Sequence, residues 1–196
     1  MKMKNFSFLI FIFSLPTISA PLHPDQTQWY QETVVRLHFD FNEESEYSFI
    51  LSRDPLEEPD QIPDRPWGEL QWIGDMEYAD LEDGVYYFSI KECRRINVKE
   101  ACSWGPAARF RMMIDSTSPE PFTPSIEERD GQSFVVFQAV DLASGIDHYE
   151  VNGQRGESPF MLSREQSKNS LAVKAVDKAG NERTVELAVS GGTDGV

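Results

Sequence analysis

The chain has 196 residues, with 33 acidic against 18 basic side chains and a formal net charge of −15. That surplus argues against a nucleic-acid partner, whose phosphates need a basic footprint, and against an anionic membrane surface. It is compatible with a soluble surface protein or with carboxylates that hold divalent cations; acidity that only maintains solubility is the plainer reading.

Residues 1–19 read as a signal peptide outside the fold. Lys2 and Lys4 form a short basic start, and Phe6 to Leu15 is an apolar core of the length such leaders use. The small residues Thr17 and Ser19 place cleavage before Ala20. A cut after Ala20 would put Ile18 at a position that favours small side chains, and Pro21 directly beyond it. The apolar run is short for a bilayer span, and an uncleaved anchor or a buried helix is the alternative. Losing Lys2 and Lys4 takes the net charge to −17.

Beyond the leader, twelve glycines and twelve prolines are spread along the chain and no long stretch of period 3.6 occurs. That pattern predicts an all-β protein rich in turns. An entry segment with Trp29 and Tyr30 precedes Val35, Leu37, Phe39 and Phe41, which alternate as one face of a strand. Tyr47 to Leu51 reads as the next strand. Residues 54–66 are rich in proline and carboxylates, a solvated loop, and Leu70–Ile73 resumes extended structure.

Asp83-Gly84 is a turn signal before a long hairpin. Tyr86, Phe88 and Ile90 face one way on its first strand; Ala108, Phe110, Met112 and Ile114 do so on its second. Cys93 and Cys102 lie between the two strands, and in an exported chain an even count favours a disulfide. Free thiols or a metal pair are the alternatives, and no third ligand stands nearby in the sequence.

Asp115 to Pro121 is too polar and proline-rich to continue a sheet. A second strand-rich segment follows: Val135, Phe137 and Ala139; Tyr149 and Val151 before the turn Asn152-Gly153; a short edge at 158–162; Leu171, Val173 and Ala175; and Val185, Leu187 and Val189. The expected organisation is two tandem antiparallel β-sandwiches, 20–115 and 123–190, joined by a linker at 116–122 and followed by a flexible tail at 191–196. No hydrophobic segment follows the second sandwich, so no C-terminal membrane anchor is expected.

Several motifs carry a family likeness. Leu81-x-Asp83-Gly84-x-Tyr86-Tyr87-Phe88, Trp104-Gly105-Pro106 and Ile114-Asp115-x-x-x-Pro119-Glu120-Pro121-Phe122 resemble exported bacterial tandem modules of the fibronectin type III or immunoglobulin-like kind. Asp141-x-x-Ser144-Gly145-Ile146-Asp147 and Val176-Asp177-Lys178-Ala179-Gly180-Asn181 are similar to the bacterial Ig-like repeat that usually follows them. The resemblance implies Ig-like or fibronectin III-like sandwiches at the cell surface. The Cys93–Cys102 loop stands outside that pattern.

An enzyme would need a recognisable constellation. His23, His38 and His148 have no metal-site spacing, and no nucleophile elbow, P-loop or dinucleotide fingerprint occurs. The expected role is therefore a non-catalytic surface adhesion, spacer or interaction module, exported to the cell surface, periplasm or exterior. Its partner would be a cell-envelope protein or glycan. An accessory carbohydrate-binding module is the alternative, and a divergent hydrolase fragment a third reading. Among Trp29, Trp67, Trp72 and Trp104, the last is the candidate for ligand contact because it sits beside the stapled loop.

Asp141, Asp147 and Asp177 stand at strand ends, and Asp115 and Glu120 enter at the pole where an Ig-like topology gathers those connections. Capping of turns explains such aspartates. A calcium site formed by Asp115, Glu120, Asp141 and Asp177 is the sharper reading, since calcium takes six to eight oxygens.

Overall fold

A computed structural model describes residues 15–42, 44–64, 74–95 and 101–188. The expected strand at Leu70–Ile73, Trp67, Trp72, Val189, most of the leader and the tail lie outside them. The described chain is all-β. In order its strands are β1 (Ile18–Ser19), β2 (Trp29–Tyr30), β3 (Val35–Phe39), β4 (Glu46–Ser52), β5 (Asp75–Tyr78), β6 (Gly84–Arg94), β7 (Ser103–Trp104) and β8 (Ala108–Ile114). Then come β9 (Ser125–Arg129), β10 (Gln132–Val136), β11 (Ile146–Val151), β12 (Gln154–Gly156), β13 (Phe160–Met161), β14 (Leu171–Asp177) and β15 (Glu182–Leu187). Two compact units form: the first from Met1–Gln26, Val34–Ala79 and Val85–Met112, the second from Thr27–Thr33, Asp80–Gly84 and Met113–Val196.

In the first unit, β1, β3 and β5 make one sheet, while β8, β6 and β4 lie side by side in another with β7 paired to β6. β3 alternates as its sequence requires: Val35, Leu37 and Phe39 are buried, Arg36 and His38 exposed. Phe39 meets Tyr47 and Phe88 with ring centroids 5.9 and 6.1 Å apart. Phe41 falls beyond the strand and is only half-buried.

β6 does not keep strict alternation, because Ser89, Glu92 and Cys93 are buried along with Tyr86, Phe88 and Ile90. Its second face is covered as well. Glu58 pairs with Lys91 and Arg109 there, and Ser45 closes over Glu92. The acidic, proline-rich loop is thus anchored rather than merely solvated: Asp64 accepts the Phe49 N–H at 2.8 Å, and Asp60 the Ser48 hydroxyl at 3.1 Å. Gly74 (φ +77°) must be glycine, since a Cβ would stand 2.4 Å from the Phe39 carbonyl oxygen.

The second unit stacks a β13-β10-β9 sheet and a β12-β11-β14-β15 sheet around Val135, Phe137, Val151, Leu162, Leu171 and Val173. The Asn152-Gly153 turn joins β11 to β12 with both residues at positive φ, 49° and 77°, the geometry that dipeptide favours. Strand β9 escaped the sequence pattern because Ile126 is its only apolar residue. β2 runs parallel to the end of β8, and the Asp115 N–H donates to the Tyr30 carbonyl at 2.9 Å.

Candidate functional site: a carboxylate group at one end of the second unit

Two strand ends and one loop deliver three aspartates. Asp115 follows β8, Asp177 is the last residue of β14, and Asp141 lies in the middle of the loop between β10 and β11. One carboxylate oxygen from each lies within 4.8 Å of the others. Asp115 is 0 % and Asp177 2 % exposed, and Asp141 is half-buried. These are three of the four residues expected from the sequence. Glu120 is not with them; it is exposed, and its N–H donates to the Val140 carbonyl at 2.8 Å.

Each carboxylate also caps backbone. Asp141 Oδ1 accepts N–H groups from Gly145 at 2.7 Å, Ser144 at 2.9 Å and Ala143 at 3.2 Å. Asp177 Oδ1 accepts those of Ala179 and Asn181 at 2.8 and 2.9 Å. Asp115 accepts the Thr117 and Ser144 N–H groups, both at 3.1 Å. The Asn181 amide ties the group together, donating to Asp177 Oδ2 at 2.9 Å and to the Asp115 carbonyl at 2.8 Å. Sequence reading missed Asn181, whose signal was its place at the end of the Ala179-Gly180-Asn181 turn.

Burial pushes the Asp115 carboxyl above the ordinary aspartate range, and the neighbouring charges of Asp141 and Asp177 add to that push against the two N–H donors. Among the described residues, no lysine or arginine forms an ion pair with any of the three; the Lys178 ammonium lies near Gly145. Three carboxylates so placed offer hard oxygen donors to a divalent cation. Their hydrogen bonds also make them complete turn caps. Asp83, read from sequence only as a turn residue, holds the adjoining segment by accepting the Ser116 N–H at 2.8 Å and the Thr117 hydroxyl. Asp147 is exposed and pairs instead with His148 at 2.7 Å and Arg155 at 3.0 Å.

In the first unit Cys93 and Cys102 are bridged, with Cα atoms 5.7 Å apart. Glu46, remote in sequence and buried at 6 % exposure, brings Oε2 to 3.2 Å from Cys102 Sγ while accepting Arg95 Nη2 at 2.6 Å. This is the third donor the sequence did not show, but the bridge withholds both sulfurs from a metal. Trp104 stands opposite Cys93 on β7 and is half-buried, and Gly105 N–H donates to the Glu92 carbonyl at 2.8 Å.

No protein-family model matches the chain, and no curated protein matches it. Among solved structures it is similar to SGBP-B of the Bacteroides ovatus mixed-linkage glucan utilization locus, solved in complex with a mixed-linkage heptasaccharide. The identity is 11 %, the TM-score 0.31, and the match covers 92 % of this chain and 71 % of that one. A likeness of that strength carries no argument about function.

Proposed function

We propose that this chain is a non-catalytic, exported β-sandwich protein that acts as an adhesion, spacer or interaction module towards a cell-envelope protein or glycan. The supporting observation is how its carboxylates are used. Asp54, Asp60, Asp141 and Asp177 each accept a backbone N–H two residues on, and Asp83 and Asp115 hold the segment after β8. Acidic groups committed to fixing turns shape loops rather than move protons. The disulfide fits an oxidising compartment. Purified protein should be retained by native envelope material and should turn over neither polysaccharide nor peptide. Measurable hydrolysis would sink this reading.

A second reading, accessory carbohydrate binding, draws on Trp104, half-buried beside the bridge, where an indole ring could stack on the apolar face of a sugar. Glycan-array binding that disappears in Trp104→Ala would favour it. Calcium at Asp115, Asp141 and Asp177 is compatible with either reading and is tested separately below.

A further inference from the structure

The residues that sequence reading assigns to the end of the leader are folded onto the first unit. β1 pairs antiparallel with β3, Ile18 opposite Phe39 and Ser19 opposite His38, and the Asp40 N–H donates to the Thr17 carbonyl at 3.2 Å. Burial alternates along this segment: Pro16 and Ile18 are half-buried and Ala20 is 2 % exposed, whereas Leu15, Thr17 and Ser19 face solvent. The other edge of β3 is taken by β5. A cavity of about 320 Å³ lies under the segment, bounded by Leu15–Thr17 on one side and by Phe41, Tyr47 and Glu92 on the other.

We propose that processing before Ala20 removes β1 and leaves the edge of β3 as a docking site for an extended segment of another protein. That segment lies antiparallel to β3 in the place of Thr17–Ser19, with an apolar side chain at every second position. The inference rests on the exported reading above.

The physical case has three parts. A strand edge stripped of its neighbour presents unsatisfied N–H and C=O groups, and these pair readily with a strand from elsewhere. The chain itself shows the fit, since its own extended residues occupy the place before processing. The new N-terminus begins beyond the residues that make the pairing, since Ile18 and Ser19 stand opposite Phe39 and His38 and Ala20 already enters the turn in which its carbonyl accepts the His23 N–H at 2.9 Å. Backbone hydrogen bonds would supply affinity, and the cavity would select side chains by shape.

The test uses protein exported by intact cells and purified in its processed form. Mass spectrometry identifies the first residue, and hydrogen exchange is followed at the Asp40 amide. A synthetic peptide with the Leu15–Ser19 sequence is then added at about 1 mM, a concentration suited to a short strand of weak affinity. A second peptide carries Ile18→Asp. The expected result is a chain that begins at Ala20 and exchanges Asp40 rapidly. The native peptide should slow that exchange about tenfold and the charged one should not. A chain that keeps Leu15–Ser19 with Asp40 protected would overturn the proposal, as would an Ala20 start at which the native peptide changes nothing. Enzymatic turnover, or lack of retention by the envelope, would sink the functional reading while leaving this exchange result standing.

Discussion

Asp115 carries its charge where solvent does not reach, and its native carboxyl holds a proton more tightly than the unfolded chain does. Ionising it therefore costs stability as pH rises from the ordinary aspartate value through the raised one, and the cost is complete above that. A bound cation would offset it. Asp115→Asn removes that cost but also one of the two oxygens that accept the Thr117 and Ser144 N–H groups, so the readout is its response to calcium rather than its melting temperature in chelator. Calcium at about a hundred times its dissociation constant should stabilise wild type by about 2.7 kcal/mol and the variant much less. If wild type does not respond to calcium, these aspartates are turn caps alone. Asp83 behaves in the opposite sense. Burial would raise its carboxyl, but donors from Ser116 and Thr117 hold it below the ordinary range. Its contribution is present above the unfolded value and is lost as pH falls through the lowered one. Asp83→Ala should cost about 1 kcal/mol at neutral pH, a difference that acid denaturation curves should show fading. The three clustered aspartates were legible because each ends a strand pattern. Glu120 was misjudged because nothing in its spacing shows that its backbone, not its carboxylate, would be engaged. A third case is Tyr78, whose phenol is pushed up to about 12, first by burial and then by the charge of Asp64. The native state keeps the proton that the unfolded chain loses at 10.0, so stability should fall as pH rises between those values. Alkaline absorbance titration of the folded protein should show the Tyr78 phenol titrating late, a phase that Tyr78→Phe removes.

Among the strands, β3, β8 and β14 were readable because one face of each is buried and the period of two survives in the sequence. β6 was readable from the apolar residues Tyr86, Phe88 and Ile90, but its burial departs from alternation at Ser89 and again at Glu92 and Cys93, which are covered by residues from β4 and the loop before it. β9 gave no signal because a polar edge strand needs only one apolar contact. The bridge joins Cys93, near the end of β6 rather than in the loop expected from sequence, to Cys102 just before β7; its presence was legible from cysteine count and compartment. The oxidised protein should weigh about two daltons less than its reduced form. Reduction should destabilise the first unit by about 2–3 kcal/mol, the chain-entropy worth of so short a loop, read as a lower midpoint in urea. Alkylation of both cysteines without prior reductant would contradict the bridge. By contrast Phe88→Ala, at the centre of β6 and fully buried, should cost about 3–5 kcal/mol, because it opens a cavity as well as losing burial.

Taken whole, the molecule carries a formal net charge of −15 at pH 7, well above its sequence pI near 4.5, so its compact form works against its own repulsion. Raising sodium chloride from about 10 to about 200 mM should raise the melting temperature through screening; a fall would show that its local ion pairs outweigh the repulsion. All-β architecture followed directly from composition and periodicity. What no periodicity carries is that each unit gathers three separate stretches of chain, because pairing partners such as Trp29 and Met113 are chosen by packing across long sequence distances.

That interleaving bears on inheritance. A gene encoding beads on a string can trade one bead by a single crossover in the linker. Here a crossover between Met112 and Met113 would deliver the second unit without Thr27–Thr33 and Asp80–Gly84, two of the three stretches from which it is made. Recombination at that point would leave the first unit whole and divide the stretches of the second between the two sides of the join. Descent as an undivided pair, varying by point substitution, is the route its architecture leaves open.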